Sequence, residues 1–396
     1  MTAAFDDTRA IRNALVLAIA QALYGSTTTA MVITSGLVGS QLAPSPFWST
    51  MPFTAMIVGT ASTTYPVSMA MRRIGRRAGF MLAALVGMIG ALIGVVALYL
   101  RSFELFLLGS FLLGVYQASS SYYRFAAADL ASPAFRPKAI SWVMTGGVVA
   151  ALVGTVMVMN TVDLLAPVTF AGTWVAMAVI AAIATLILSF VDIPKQDATI
   201  ISSGRPLIDI AKQPSYIVAA GLGMMSYGIM VLVMTATPVA MLGCGFTVTD
   251  SSWVIQWHAL AMFVPSFFTG MLITRFGAER ISMIGLALLV LAAVAALMGI
   301  HFENFAVGLI LLGLGWNFGY IGGTTMLTTT YEPLERNKAQ GLNDFLIFGT
   351  NTLASLSAGA LVAGLGWNAV NYAVFPMAAV GVALIVWLWR KGLVTA

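Results

Sequence analysis

The chain has 396 residues, 60% of them hydrophobic and only 8% charged, against about 25% charged in an ordinary soluble protein. That composition excludes a soluble globular domain and describes an integral membrane protein built from helices, because backbone groups in lipid must be satisfied within each segment. The net charge of +5 suggests nucleic acid only until the basic residues are placed, and the single cysteine, Cys244, excludes an intrachain disulfide framework or a cysteine-only metal cluster.

The short polar N-terminus, MTAAFDDTRA, leads into a long span without a small-residue cleavage site, so no cleaved signal peptide is expected. Apolar runs between charged or proline-rich breaks then predict twelve transmembrane helices, at roughly 9–38, 46–70, 78–99, 103–124, 137–161, 167–190, 213–242, 250–273, 278–299, 303–328, 338–362 and 367–390. Residues 191–212, with prolines and charges, read as a connector between six-helix halves at 1–190 and 213–396. With this division 18 of the 19 Lys and Arg residues fall on one side, including Arg72, Lys195 and Arg136, and only Arg101 falls opposite. The positive-inside rule places both termini and the connector in the cytoplasm. The basic balance is therefore a topology signal, and no nucleic-acid partner is expected.

The halves repeat. Residues 22–34, ALYGSTTTAMVIT, and 225–237, MSYGIMVLVMTAT, share Tyr-Gly, Met and Thr at an offset of 203. Arg73-Ile-Gly75 matches Arg275-Phe-Gly277 at 202, LLG ending at Gly114 matches Gly313 at 199, and Arg136-Pro-Lys138-Ala139 pairs with Arg336-Asn-Lys338-Ala339 at 200. Four matches in chain order at nearly one offset mean duplication of a six-helix unit. Two such repeats with a cytoplasmic linker resemble the major facilitator superfamily over essentially the whole chain. In that family the loop after the second helix reads Gly-x-x-x-Asp-Arg-x-Gly-Arg-Arg; MAMRRIGRRAG keeps Arg73, Gly75, Arg76 and Arg77 and replaces the Asp by Arg72. TGGVVAALVGTV in the fifth helix is a degenerate form of the glycine-rich packing motif, which lets helix backbones approach closely. The resemblance implies an all-α transporter with substrate at the midplane, reached alternately from each side.

Midplane charges usually mark ion or proton pathways, and here they are nearly missing. Of fourteen acids, including Asp6, Asp129 and Asp197 in loops, only Asp344 lies about two turns inside a helix, which keeps a proton route open. Sulfur is plentiful instead. Met230 and Met234 share a face of the seventh helix, and His258 and Met262 have the same spacing in the eighth. At 1.5 Å per residue Met234 and His258 lie about 12 Å below the outer end, and Met230 and Met262 about 18 Å. Among 23 methionines one Met-x-x-x-Met is expected by chance, whereas a His-x-x-x-Met arises in roughly one such chain in eight. The plainer alternative is a lone His bonded to a neighbouring helix, with Met as filler. Three thioethers and an imidazole would form a soft, neutral set suited to Cu(I).

At these four residues the pattern resembles the CcoA-type copper importers of bacterial inner membranes. The resemblance implies copper as transported substrate with no resident cofactor, import feeding cytochrome c oxidase assembly, and handover to a cytoplasmic copper chaperone or exporter. Met31 and Met56, related by the repeat to Met234 and His258, are secondary candidates for the metal or the cavity, as are Tyr24, Tyr227 and Cys244. The glycines of GLILLGLGWNFGYIGGTT, residues 308–325, read as packing and bending positions. The alternative reading is a major-facilitator exporter of a small apolar or aromatic compound. No nucleophile-base pair or phosphate loop supports an enzyme.

Overall fold

The computed structural model describes residues 7–128, 131–132, 135–194, 204–332 and 335–392, without the side chains of Arg72, Ala128, Arg136, Pro137 and Asn337. Asp6, Asp129, Asp197, Lys195 and the stretch 195–203 of the expected connector lie outside the described residues. Two compact units, Met1–Ala198 and Thr199–Ala396, each hold their own packing.

The first unit runs α1 (Asp7–Leu42), a 3-10 turn (Pro46–Trp48), α2 (Met51–Ile74), α3 (Arg76–Leu100), α4 (Phe103–Ser120), α5 (Tyr123–Ala128), α6 (Arg136–Thr161) and α7 (Ala171–Leu188). The second runs α8 (Leu207–Ala211), α9 (Pro214–Gly243), α10 (Val248–Phe263), α11 (Ser266–Phe276), α12 (Ala278–Leu297), α13 (Phe302–Thr328), α14 (Arg336–Leu365), α15 (Trp367–Tyr372) and α16 (Val374–Arg390). The protein is all-helical, with no strand among the described residues. Among the described residues ten segments are long and apolar enough to cross a membrane, and α10 with α11, bent by 42°, counts as an eleventh when the pair is taken as one span. The remaining one of the twelve expected is α2, 24 residues long and broken in its apolarity by Thr60, Ser62, Thr63 and Thr64. Each of those hydroxyls donates to a carbonyl one turn back, so the helix carries them without an orphaned donor.

Most of the pairing recurs in both units, although α9 also packs closely on α13 where the equivalent α1 and α4 barely touch. In the first, α1 packs on α6 and α7, α2 on α4, and α3 on α4 and α7; in the second, α9 packs on α14 and α16, α10 on α13, and α12 on α13 and α16. Small residues make the seams and large ones face outward. On α3, Ala83, Ala84, Gly87, Ala91 and Gly94 are buried, while Leu82, Leu85, Ile89, Leu92 and Val96 form an exposed stripe at helical spacing. A soluble protein would be destabilised by that stripe; lipid tails solvate it, and close backbone approach supplies the helix-helix attraction.

Duplication is visible in geometry as well as in sequence. Gly75, between α2 and α3, has φ 93° and ψ 158°, and Gly277, between α11 and α12, has φ 87° and ψ 150°. Both ends need the same left-handed backbone, which a side chain resists. Gly114 on α4 lies against the Met56 carbonyl and the Thr60 amide, and Gly313 on α13 against the His258 carbonyl and the Met262 amide. Met56 and His258 are therefore equivalent positions.

Polar clasps hold the loop ends. Asp192 accepts from Arg9 Nε at 3.0 Å and Arg12 Nη2 at 2.9 Å, and Asp7 accepts from the backbone amide and hydroxyl of Ser132. In the second unit Glu335 accepts from Arg205 Nε at 2.8 Å and Nη2 at 2.7 Å, and Lys338 Nζ donates to the Arg205 carbonyl. The Arg205 guanidinium holds the Glu335 carboxyl at about 2, below its ordinary 4.5.

Candidate functional site

The four residues expected to hold a metal are all buried in the second unit. Met230 and Met234 lie in α9, His258 and Met262 in α10. His258 Nδ1 lies 2.8 Å from the Leu309 carbonyl of α13. A carbonyl only accepts, so Nδ1 carries the proton and the ring ties α10 to α13. Its Nε2 is buried and has no partner. No group of three or more His, Cys, Asp or Glu arranged for a metal occurs among the described residues. Met31 and Met56 are buried in α1 and α2, and Tyr24 stands edge-on to Tyr116 with ring centres 5.0 Å apart. Cys244, just beyond α9, is exposed.

Tyr227 belongs to a different assembly. It stands edge-on to Trp316 at 5.4 Å and to Tyr320 at 5.2 Å, both on α13. Trp316 and Tyr320 are four residues apart, one helical turn, and their rings stack 5.1 Å apart with an interplanar angle of 12°. Phe263, at the end of α10, adds an edge to Trp316 at 6.4 Å. Close approach of α9 and α13 makes the contact: a Cβ on Gly319 would collide with Ser226, and one on Gly323 would meet the Ala219 carbonyl at 3.1 Å.

A satisfied amide fixes this register. Asn317 Nδ2 donates to the Met262 carbonyl at 2.7 Å and to Ser266 Oγ at 2.6 Å, and its Oδ1 accepts from Thr269 Oγ1 at 2.6 Å. Those partners flank Pro265, where α10 gives way to α11, so Asn317 caps the Met262 carbonyl at the break and ties the hydroxyls of Ser266 and Thr269 to α13. The bend thus follows Phe263, and Asn317 holds both sides of it to α13.

These aromatic residues and Asn317 are not among the sequence candidates, Tyr227 excepted. The available signal was the spacing of Trp316 and Tyr320 inside the glycine-rich segment, read there for its glycines alone.

A sequence profile described as Major Facilitator Superfamily matches residues 218–394. Over 391 residues the chain is 44% identical to the riboflavin transporter RfnT of Brucella anthropi, covering 98% of each chain. The chain belongs to the major facilitator superfamily. A second relative, the uncharacterized MFS-type transporter YddS of Bacillus subtilis, is 27% identical over 395 residues, covering 95% of this chain and 90% of that one. Among solved structures the nucleoside transporter NupG superposes with a TM-score of 0.67 at 15% identity, covering 96% of this chain and 98% of that one, which shows the shared fold. The protein is a multi-pass membrane transporter for a small molecule, not an enzyme.

The copper reading is overturned by the riboflavin transporter at 44% identity. With it go the CcoA-type assignment, copper as cargo, the supply of cytochrome c oxidase, and handover to a copper chaperone or exporter. The spacing that suggested it does not separate a ligand from a helix brace: His258 makes a helix-helix bond through Nδ1 and leaves Nε2 unpaired.

Proposed function

We propose that this member of the superfamily carries riboflavin across the bacterial inner membrane by alternating access, with both termini in the cytoplasm. The single observation that carries the reading is 44% identity, across 98% of both chains, with a riboflavin transporter. Two features of the chain suit such a cargo. Riboflavin is uncharged at neutral pH, and charges other than Asp344 sit at or near the ends of the described spanning helices. Its ring system is broad, flat and aromatic, and aromatic faces recognise such surfaces by stacking.

Within this reading the earlier candidates take other roles. Tyr227, Met230 and Met234 share a face of α9, so the thioethers continue the aromatic wall as soft, adaptable apolar lining. His258 braces α10 against α13 at Leu309, about two helical turns from Trp316, and Met262 packs beside the same seam.

Growth of a riboflavin auxotroph that lacks its own transporter tests the proposal. Cells expressing the protein should grow at a riboflavin concentration too low for the parent strain, and cells with an empty vector should not. For a protein that instead exports flavin, the same cells preloaded with riboflavin should lose it faster than controls. Membrane expression with no effect on flavin movement in either direction overturns the proposal.

A further inference from the structure

We infer that the Tyr227, Trp316, Tyr320 and Phe263 cluster is the flavin ring site, with the Trp316 indole N–H as its directional donor; this rests on the riboflavin reading above. The cluster lies at mid-depth. Trp316 is the fifteenth of 27 residues in α13 and Tyr227 the fourteenth of 30 in α9, each about 20 Å from its helix start. It is also partly open, because Tyr227 and Tyr320 are half-buried while Trp316 between them is 7% exposed.

Trp316 Nε1 is buried and has no hydrogen-bond partner. Buried indoles ordinarily find an acceptor. Trp174 and Trp367 also lack one, but they lie in the first turn of α7 and at the first residue of α15. There an indole sits at the depth of the membrane interface, a usual place for tryptophan. Trp316 has no interface within reach and no acceptor, and it is bordered by two half-buried tyrosine rings. A ligand that fits must offer a flat π-surface and, at its edge, an oxygen or nitrogen acceptor. The isoalloxazine ring has both: three fused rings, with two carbonyl oxygens on one end ring. Stacked on the cluster, it brings an edge acceptor to Nε1 and completes the one polar group the cluster leaves unpaired. Recognition is then of the ring, with the sugar-alcohol tail contributing little here.

Binding of riboflavin to the purified full-length protein in detergent, read by quenching of flavin fluorescence, tests this. Trp316→Phe keeps an aromatic ring in the stack while removing the indole N–H with its five-membered ring, and should weaken binding at least fivefold with quenching retained at saturation. Tyr320→Leu removes a stacking face and should weaken it at least fivefold. Lumiflavin, which keeps the ring and lacks the tail, should compete within about threefold of riboflavin, and ribitol should not compete. Each variant is compared as a monodisperse peak on size exclusion, and the Phe variant, which retains an aromatic ring, keeps the test available should the Leu variant misfold. If wild type binds riboflavin and Trp316→Phe binds equally well, the site is wrong and the transport reading stands. If wild type binds no flavin, both fall.

Discussion

The approach of α10 to α13 can be tested at Gly313. An added Cβ there would sit 2.6 Å from the His258 carbonyl oxygen, 2.9 Å from Ala261 Cβ and 3.1 Å from the Met262 amide nitrogen. Two of these three neighbours are backbone atoms, so no side chain can swing aside to relieve the nearest contact. Restoring ordinary contact at the carbonyl requires α10 to retreat by about 0.8 Å, against the 2.8 Å bond from His258 to Leu309 and the Asn317 bonds to Met262 and Ser266. Overpacking of this kind costs about 1–3 kcal/mol, and a weakened interhelical hydrogen bond in a membrane protein about 0.6 kcal/mol more. Helix propensity works the other way and returns up to about 1 kcal/mol for Gly→Ala. Gly313→Ala should therefore lose about 1–3 kcal/mol on balance. Gly349 is the control, because its Cβ would meet nothing within 4 Å, so Gly349→Ala should hold or raise stability. Thermal unfolding in detergent, followed by tryptophan fluorescence, reads both. A Gly313→Ala protein as stable as Gly349→Ala would refute the close seam.

Three further outcomes follow from the structure. Glu335 is held at about 2, below its ordinary 4.5, so the stability it contributes with Arg205 is complete above about 4.5 and lost as pH falls toward 2. Melting temperature measured down the pH scale should fall through that window in wild type and fall less in Glu335→Gln; parallel curves would discard the clasp. Replacing Met230, Met234 and Met262 together by Leu keeps their volume, so riboflavin flux should stay within about threefold of wild type, and a loss beyond tenfold would contradict their role as lining. Cys244 is the only cysteine and is exposed. With cytoplasmic termini it lies outside, so a membrane-impermeant maleimide should label intact cells; labelling only after permeabilisation would reverse the topology.

The repeat was legible because it is local and periodic. Arg73-Ile-Gly75 and Arg275-Phe-Gly277 announce two identical glycine corners, and the LLG pair at Gly114 and Gly313 marks two equivalent helix seams. Breaks inside spans were less so. The expected helix at 250–273 is two helices meeting at Pro265, and the one at 367–390 divides at Ala373. At Pro265 the break is stabilised by Asn317, more than fifty residues away, which no local pattern shows. The site suffered from the same distance. Tyr227 was singled out by its repeat partner Tyr24, but its neighbours Trp316 and Tyr320 lie some ninety residues on. His258 drew attention because histidine is rare in the chain, although the acceptor that explains it, the Leu309 carbonyl, belongs to another helix.

Purified protein in liposomes, preloaded with unlabelled riboflavin and given a trace of labelled riboflavin outside, offers the most direct measurement. Counterflow needs no knowledge of energy coupling or of the physiological direction. Transient, saturable accumulation of label, abolished by omitting the internal riboflavin and blocked by excess lumiflavin, is the expected result. No accumulation above protein-free liposomes, from a preparation that is monodisperse before reconstitution, would contradict flavin transport by this chain.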